Sequence, residues 1–106
     1  MIGTIKKILG FRPKVDLQEL LNHGGIIVDV RSKAEFQGGH IKNSINIPVD
    51  QLSAHLKKLP NKETPIITCC ASGMRSAAAK SMLKKAGYSQ VHNGGSWRNL
   101  THLETK

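Results

Sequence analysis

Two apolar runs limit what this chain can become. Ile26-Ile27-Val28 leads into Asp29-Val30-Arg31, and Pro65-Ile66-Ile67-Thr68 leads into Cys69-Cys70. Neither run alternates apolar with polar residues, so neither suits a sheet with one wet face. Continuous β-branched stretches of this length read as strands covered on both sides, the usual state of parallel strands. The segments around them have helical patterns. Strand and helix alternate throughout, which argues for one α/β domain: a largely parallel sheet with helices on both faces.

The boundary signals agree. Asp16 reads as an N-cap with Glu19 three residues on, and Leu17, Leu20 and Leu21 form the stripe of a helix that Gly24-Gly25 stops. Ser32 and Glu35 form a second capping pair, opening a short helix through Phe36 that Gly38-Gly39 ends. Ile45-Asn46-Ile47-Pro48 reads as a short strand closed by proline. Asp50 is expected to cap a helix from Gln51 to Lys58, with Leu52 and Leu56 inward. A helix from Arg75 to Ala86, with a mostly alanine inner face, is expected to stop at Gly87. Tyr88 to Asn93 reads as the last strand, and Gly94-Gly95 as a turn into a helical turn over Ser96–Leu100.

A chain of 106 residues, 39% hydrophobic, can bury one core without disulfides or metal. Residues 14–102 read as the domain, 103–106 as a polar tail and 1–13 as an extension. Apolar positions 2, 5, 8 and 9 of that extension fit a short amphipathic surface helix, with weak interfacial attachment as the other reading. Its lysines interrupt the apolar stretch, unlike those of a secretory leader, and no run reaches membrane-spanning length. The net charge is +9. The lysines fall in scattered pairs without aromatic interleaving, so the charge points to small anionic substrates rather than to nucleic acid. The only two cysteines are neighbours. A bridge between them would be strained, and no His or Cys stands at ligand spacing, so neither a structural disulfide nor a metal is expected. No cofactor is called for, and a cytoplasmic monomer is the expectation.

The chemistry concentrates in Cys70-Ala71-Ser72-Gly73-Met74-Arg75-Ser76. A thiol at a strand end, a loop of small residues and an arginine opening a helix form a cradle for an anion. Inward N–H groups and the helix N-terminus lower the thiol's pKa. Gly73 lets the loop curl round the sulfur, Ser72 adds a hydroxyl, and Arg75 adds a fixed cation. Adjacent strand residues point to opposite faces, so Cys69 is expected in the core. Asp29 and Arg31 share a face at a strand end where ligands collect in parallel sheets. Asp29 reads as a loop anchor. Arg31 reads either as its ion-pair partner or as a second cation for an anionic ligand. His40 reads as fixing a turn through a backbone hydrogen bond, and as a catalytic base only secondarily.

With these residues in place, the chain resembles the single-domain rhodaneses, a sulfurtransferase family. The resemblance runs from about residue 15 to 100. It rests on Val28-Asp29-Val30-Arg31, Glu35-Phe36, Gly39-His40-Ile41, Ser44-Ile45-Asn46-Ile47-Pro48, the Cys70 loop, and Gly94-Gly95 with Trp97. It implies a rhodanese-like fold with a central, mostly parallel five-stranded sheet, and Cys70 as the carrier of a persulfide. It also implies a small anionic sulfur donor such as thiosulfate, and an acceptor that is cyanide, a thiol or a protein cysteine. Ala71 to Ser76 would line the cradle. Related phosphatases and arsenate reductases place five residues between Cys and Arg; here there are four, which suits a sulfur atom over a tetrahedral oxyanion. A non-catalytic sulfur carrier for a partner protein is the alternative from another class. Ala71 and Ser72 stand where dedicated thiosulfate enzymes often carry cations.

Overall fold

The computed structural model describes residues 15–105, so the expected amphipathic helix of the extension lies outside the described residues. In chain order the elements are α1 (Leu17–Asn22), β1 (Ile26–Asp29), α2 (Lys33–Gln37), β2 (Ile45–Asn46), a 3₁₀ segment (Val49–Lys58), β3 (Ile66–Cys70), α3 (Met74–Lys85), β4 (Val91–Ser96) and a 3₁₀ turn (Trp97–Leu100). The sheet has the order β2-β1-β3-β4, and every pairing is parallel. Four strands, not the expected five, are present among the described residues.

The two-residue period of a strand sorts the apolar runs into two cores. Val28, Val30, Ile66 and Cys70 face one side, where Leu52, Leu59, Ala79, Leu83 and Tyr88 cover them. Ile27, Ile67 and Cys69 face the other, under Leu100 and the leucines of α1. All five residues of β3 are buried. Each fully buried Ile or Leu contributes about 1.5–3 kcal/mol, so the two central strands dominate the stability of the domain.

Two of the three expected caps form. Asp16 accepts the N–H of Glu19 at 3.2 Å, and Ser32 and Glu35 make a reciprocal capping box. Three expectations fail. Asp50 caps nothing: the 49–58 segment starts at Val49 behind Pro48, has no side-chain cap and is 3₁₀ with a kink at His55. The kink divides it into two short pieces, each too brief to need α-helical geometry, and Val49 with Leu52 and Leu56 with Leu59 face the core from the two pieces. The inner face of α3 is Ser76, Ala79 and Leu83, while Ala77 and Ala78 are exposed. Gly94-Gly95 is strand rather than turn. A Cβ on Gly94 would lie 2.9 Å from Ile67 Cγ2, so this glycine serves close packing inside β4.

Candidate active site

Every strand of a parallel sheet ends at the same edge, and this edge carries the chemistry. β3 delivers Cys70 there, and α3 starts four residues later. Gly73 bridges the two at φ +101°, a left-handed conformation that side-chain-bearing residues rarely adopt. The turn swings two N–H groups onto the thiol. Gly73 N–H donates to Cys70 Sγ at 2.9 Å and Ser76 N–H donates at 3.3 Å.

Cys70 is 0% exposed. Burial alone would push its thiol up. The Ser76 backbone and hydroxyl, with the N–H groups of Gly73 and Ser72, more than offset burial and hold the thiol below its ordinary value. Cys69, one residue earlier, has burial, then the nearby Asp29 charge, against it, and is pushed up to about 12. The strand alternation thus makes one reactive thiol and one inert one.

β4 supplies a support that the sequence did not announce. Asn93 Oδ1 lies 2.5 Å from the Ser76 hydroxyl and accepts the Gly95 N–H at 2.8 Å. Its amide Nδ2 reaches the Gly73 carbonyl at 3.4 Å. Asn93 therefore touches both residues whose N–H groups hold the sulfur. Ala71, Ser72 and Met74 are exposed around the enclosed thiol, Met74 at 79%.

Two arginine–carboxylate pairs flank this loop. Asp29 is wholly buried and receives Arg31 three ways: its backbone N–H at 3.0 Å, Nε at 2.9 Å and Nη2 at 2.7 Å. Arg31 also donates to the carbonyls of Glu35 and Gly39, and its guanidinium lies 4.6 Å over the Trp97 ring. The Asp29 anchor expected from sequence is present. Of the two readings of Arg31, the geometry realises the first: at 4% exposure its donors are committed to fixing the β1–α2 loop. His40 likewise does as the turn reading expects. Its Nδ1 donates to the Phe36 carbonyl at 2.7 Å, and its ring stacks on Phe36 at 3.7 Å.

Arg75 is not the free cation the sequence suggested. It makes a forked pair with Glu35, at 2.7 and 3.0 Å. Glu35 was legible only as a capping residue; nothing in its local pattern points 40 residues ahead. Arg75 first, then the Ser32 N–H, hold its carboxyl down at about 2. Arg75 also lies close enough to Cys70 for their charges to interact. It lines a cleft of about 840 Å³ between α2 and the 3₁₀ segment, with Phe36, His40, Pro48, Gln51 and Lys58 among the other walls. Among the described residues no cluster of His, Cys, Asp or Glu could hold a metal ion, and no helix is long and apolar enough to cross a membrane.

An enclosed, acidified thiol in a backbone cradle at a parallel-sheet edge can serve as a nucleophile, its thiolate stabilised by the surrounding N–H groups. The sequence profile of the Rhodanese-like domain matches residues 14–99. The chain belongs to that family, and its sheet and helices form the rhodanese fold. A rhodanese domain-containing protein of Drosophila melanogaster is 36% identical over 103 residues, covering 83% of this chain and 93% of its own. The thiosulfate sulfurtransferase PspE of Escherichia coli is 29% identical over 80 residues, covering 74% and 77%. The solved structure of a human single-domain sulfurtransferase superposes with a TM-score of 0.68 at 27% identity, covering 89% of this chain and 99% of that one.

Proposed function

We propose that the protein is a sulfurtransferase that carries sulfane sulfur as a persulfide on Cys70. The observation that carries this reading is the pair of N–H groups, from Gly73 and Ser76, aimed at the Cys70 sulfur. The thiolate attacks the outer sulfur of a donor. A new S–S bond forms, the donor's own bond to that sulfur breaks, and the donor remnant leaves with the electron pair: sulfite from thiosulfate, a thiolate from a persulfide. A thiol, protein cysteine or cyanide then attacks the outer sulfur and returns Cys70 to its thiolate. Before loading the charge rests on the Cys70 sulfur, and on discharge it returns there, where the Gly73 and Ser76 N–H groups stabilise it. Four residues between Cys70 and Arg75 leave a cradle small for phosphate or arsenate, which sets the phosphatase reading aside.

Intact-mass measurement tests the assignment. Incubation with excess sulfane donor is expected to add one sulfur atom to the wild type, removable by cyanide, and none to Cys70→Ser. Sulfur retained in Cys70→Ser, or mapped to Cys69, would overturn it. A carrier role, in which a protein donor loads Cys70 and free donors turn over poorly, is the second reading. The pairing of Arg75 with Glu35 favours it, because the loop then offers an inorganic donor little net positive charge. Steady-state turnover of a loaded protein separates the two.

A further inference from the structure

The cradle's own cation is neutralised, and the cleft beside it is far larger than an inorganic donor needs. Thiosulfate brings two negative charges toward a thiolate, and such an approach is favoured by uncompensated positive charge. Here Arg75 is shared with Glu35 through two hydrogen bonds, Arg31 is committed to Asp29, and Ala71 and Ser72 add no charge. The cleft that Arg75 lines falls in the size range of sites for organic ligands, roughly 300–1,000 Å³. Its walls offer the flat Phe36–His40 stack, the amides of Gln37, Asn46 and Gln51, and the ammonium groups of Lys33 and Lys58.

Resting on the persulfide reading above, we infer that Glu35 determines donor specificity: it restrains Arg75, so that the site takes an organic persulfide, R–S–SH, in preference to the thiosulfate dianion, with the R group lying in the cleft between α2 and the 3₁₀ segment. The Cys70 thiolate attacks the outer sulfur of R–S–SH. The new S–S bond forms as the old one breaks, R–S⁻ leaves with the electron pair, and the proton stays on the transferred sulfur. Neutral or singly charged at its reacting end, this donor does not need a free cation. Carboxylates on R meet Lys33 and Lys58.

Glu35→Gln isolates the charge, because glutamine at this position still accepts the Ser32 N–H and keeps the capping box. Gln51→Trp narrows the cleft without changing charge. The probes are thiosulfate and glutathione persulfide, each with cyanide as acceptor, compared as kcat/KM. The wild type is expected to favour the persulfide at least tenfold. Glu35→Gln should lower that ratio about fivefold by raising thiosulfate efficiency through KM. Gln51→Trp should lower it about fivefold by weakening the persulfide. Thiosulfate efficiency unchanged or reduced in a folded Glu35→Gln would overturn the role of Glu35, and a ratio untouched by Gln51→Trp would overturn the cleft. If Glu35→Gln does not fold, the wild type carries the test through its own donor ratio: a kcat/KM for glutathione persulfide no higher than that for thiosulfate defeats the proposal. Failure of the underlying reading looks different: neither probe then adds a sulfur to wild-type Cys70.

Discussion

Asp29–Arg31 and Glu35–Arg75 are the same chemical pair in two settings. The first is sealed, with side-chain exposures of 0% and 5%; the second is open, at 38% and 39%. The sealed pair spans two residues and ties the end of β1 to the loop that follows. The open pair spans forty and ties α2 to α3. Burial makes an ion pair unforgiving, because removing one partner strands the other charge in a poor solvent. Exposure makes it cheap to alter and available to substrates. The fold has placed the rigid pair under the site and the negotiable one at its mouth.

The largest effect should come from breaking the sealed pair. Asp29→Ala leaves the Arg31 guanidinium buried beside Trp97 without its carboxylate, and a loss of about 3–5 kcal/mol is expected in urea unfolding. A change under 1 kcal/mol would mean that the Glu35 and Gly39 carbonyls alone can satisfy Arg31, and the contrast would collapse. Arg75→Ala should separate function from stability. It should cost about 1 kcal/mol or less, yet leave Glu35 an unpaired anion at the mouth and so reduce loading of Cys70 by thiosulfate at least tenfold, whereas Lys84→Ala, about two and a half turns along α3, should leave thiosulfate loading within twofold. Equal losses in the two variants would remove Arg75 from the site.

The smallest effect concerns acid. Glu35 titrates near 2 when folded, against 4.5 ordinarily. A depressed folded value means that its stabilisation is complete above about pH 4.5 and is lost as pH falls toward 2. Exposure keeps the contribution small, so Glu35→Gln should flatten the stability profile slightly between those limits and leave its shape above pH 5 unchanged. A variant whose profile parallels the wild type down to pH 2 would show that solvent already screens the pair.

The sequence was most legible where one local rule decided the outcome. The β-branched runs around Ile27 and Ile67 could only be covered strands, and Ser32 with Glu35 could only open a helix. Cys70, Gly73 and the start of α3 followed from one short stretch. What stayed hidden was set by distance or by competition. The second oxygen of Glu35 and the amide of Asn93 work on partners 40 and 17 residues away, which no periodicity encodes. Arg31 kept two readings because the same charge serves a loop or a ligand, and only Trp97 and the Gly39 carbonyl decided it. Gly94-Gly95 looked like a turn because glycine also marks backbones that pack closely, and the approach of Ile67 and Leu100 made it the latter. The 49–58 segment had both the composition and the apolar spacing of a helix, and the kink at His55 that divides it into two 3₁₀ pieces left no mark in that pattern.

The complete enclosure of the Cys70 sulfur has a consequence for where bonds are made. A persulfide there would extend it by one S–S bond, about 2.05 Å. Of the two sulfurs, the inner one would have the protein behind it and the outer one would face the side from which the donor came. Attack on the inner sulfur would expel hydrosulfide and trap the protein as a mixed disulfide with its acceptor. By walling off that trajectory, the same loop that acidifies the thiol would also select the regiochemistry of the proposed discharge, handing the sulfur over and leaving the cysteine free.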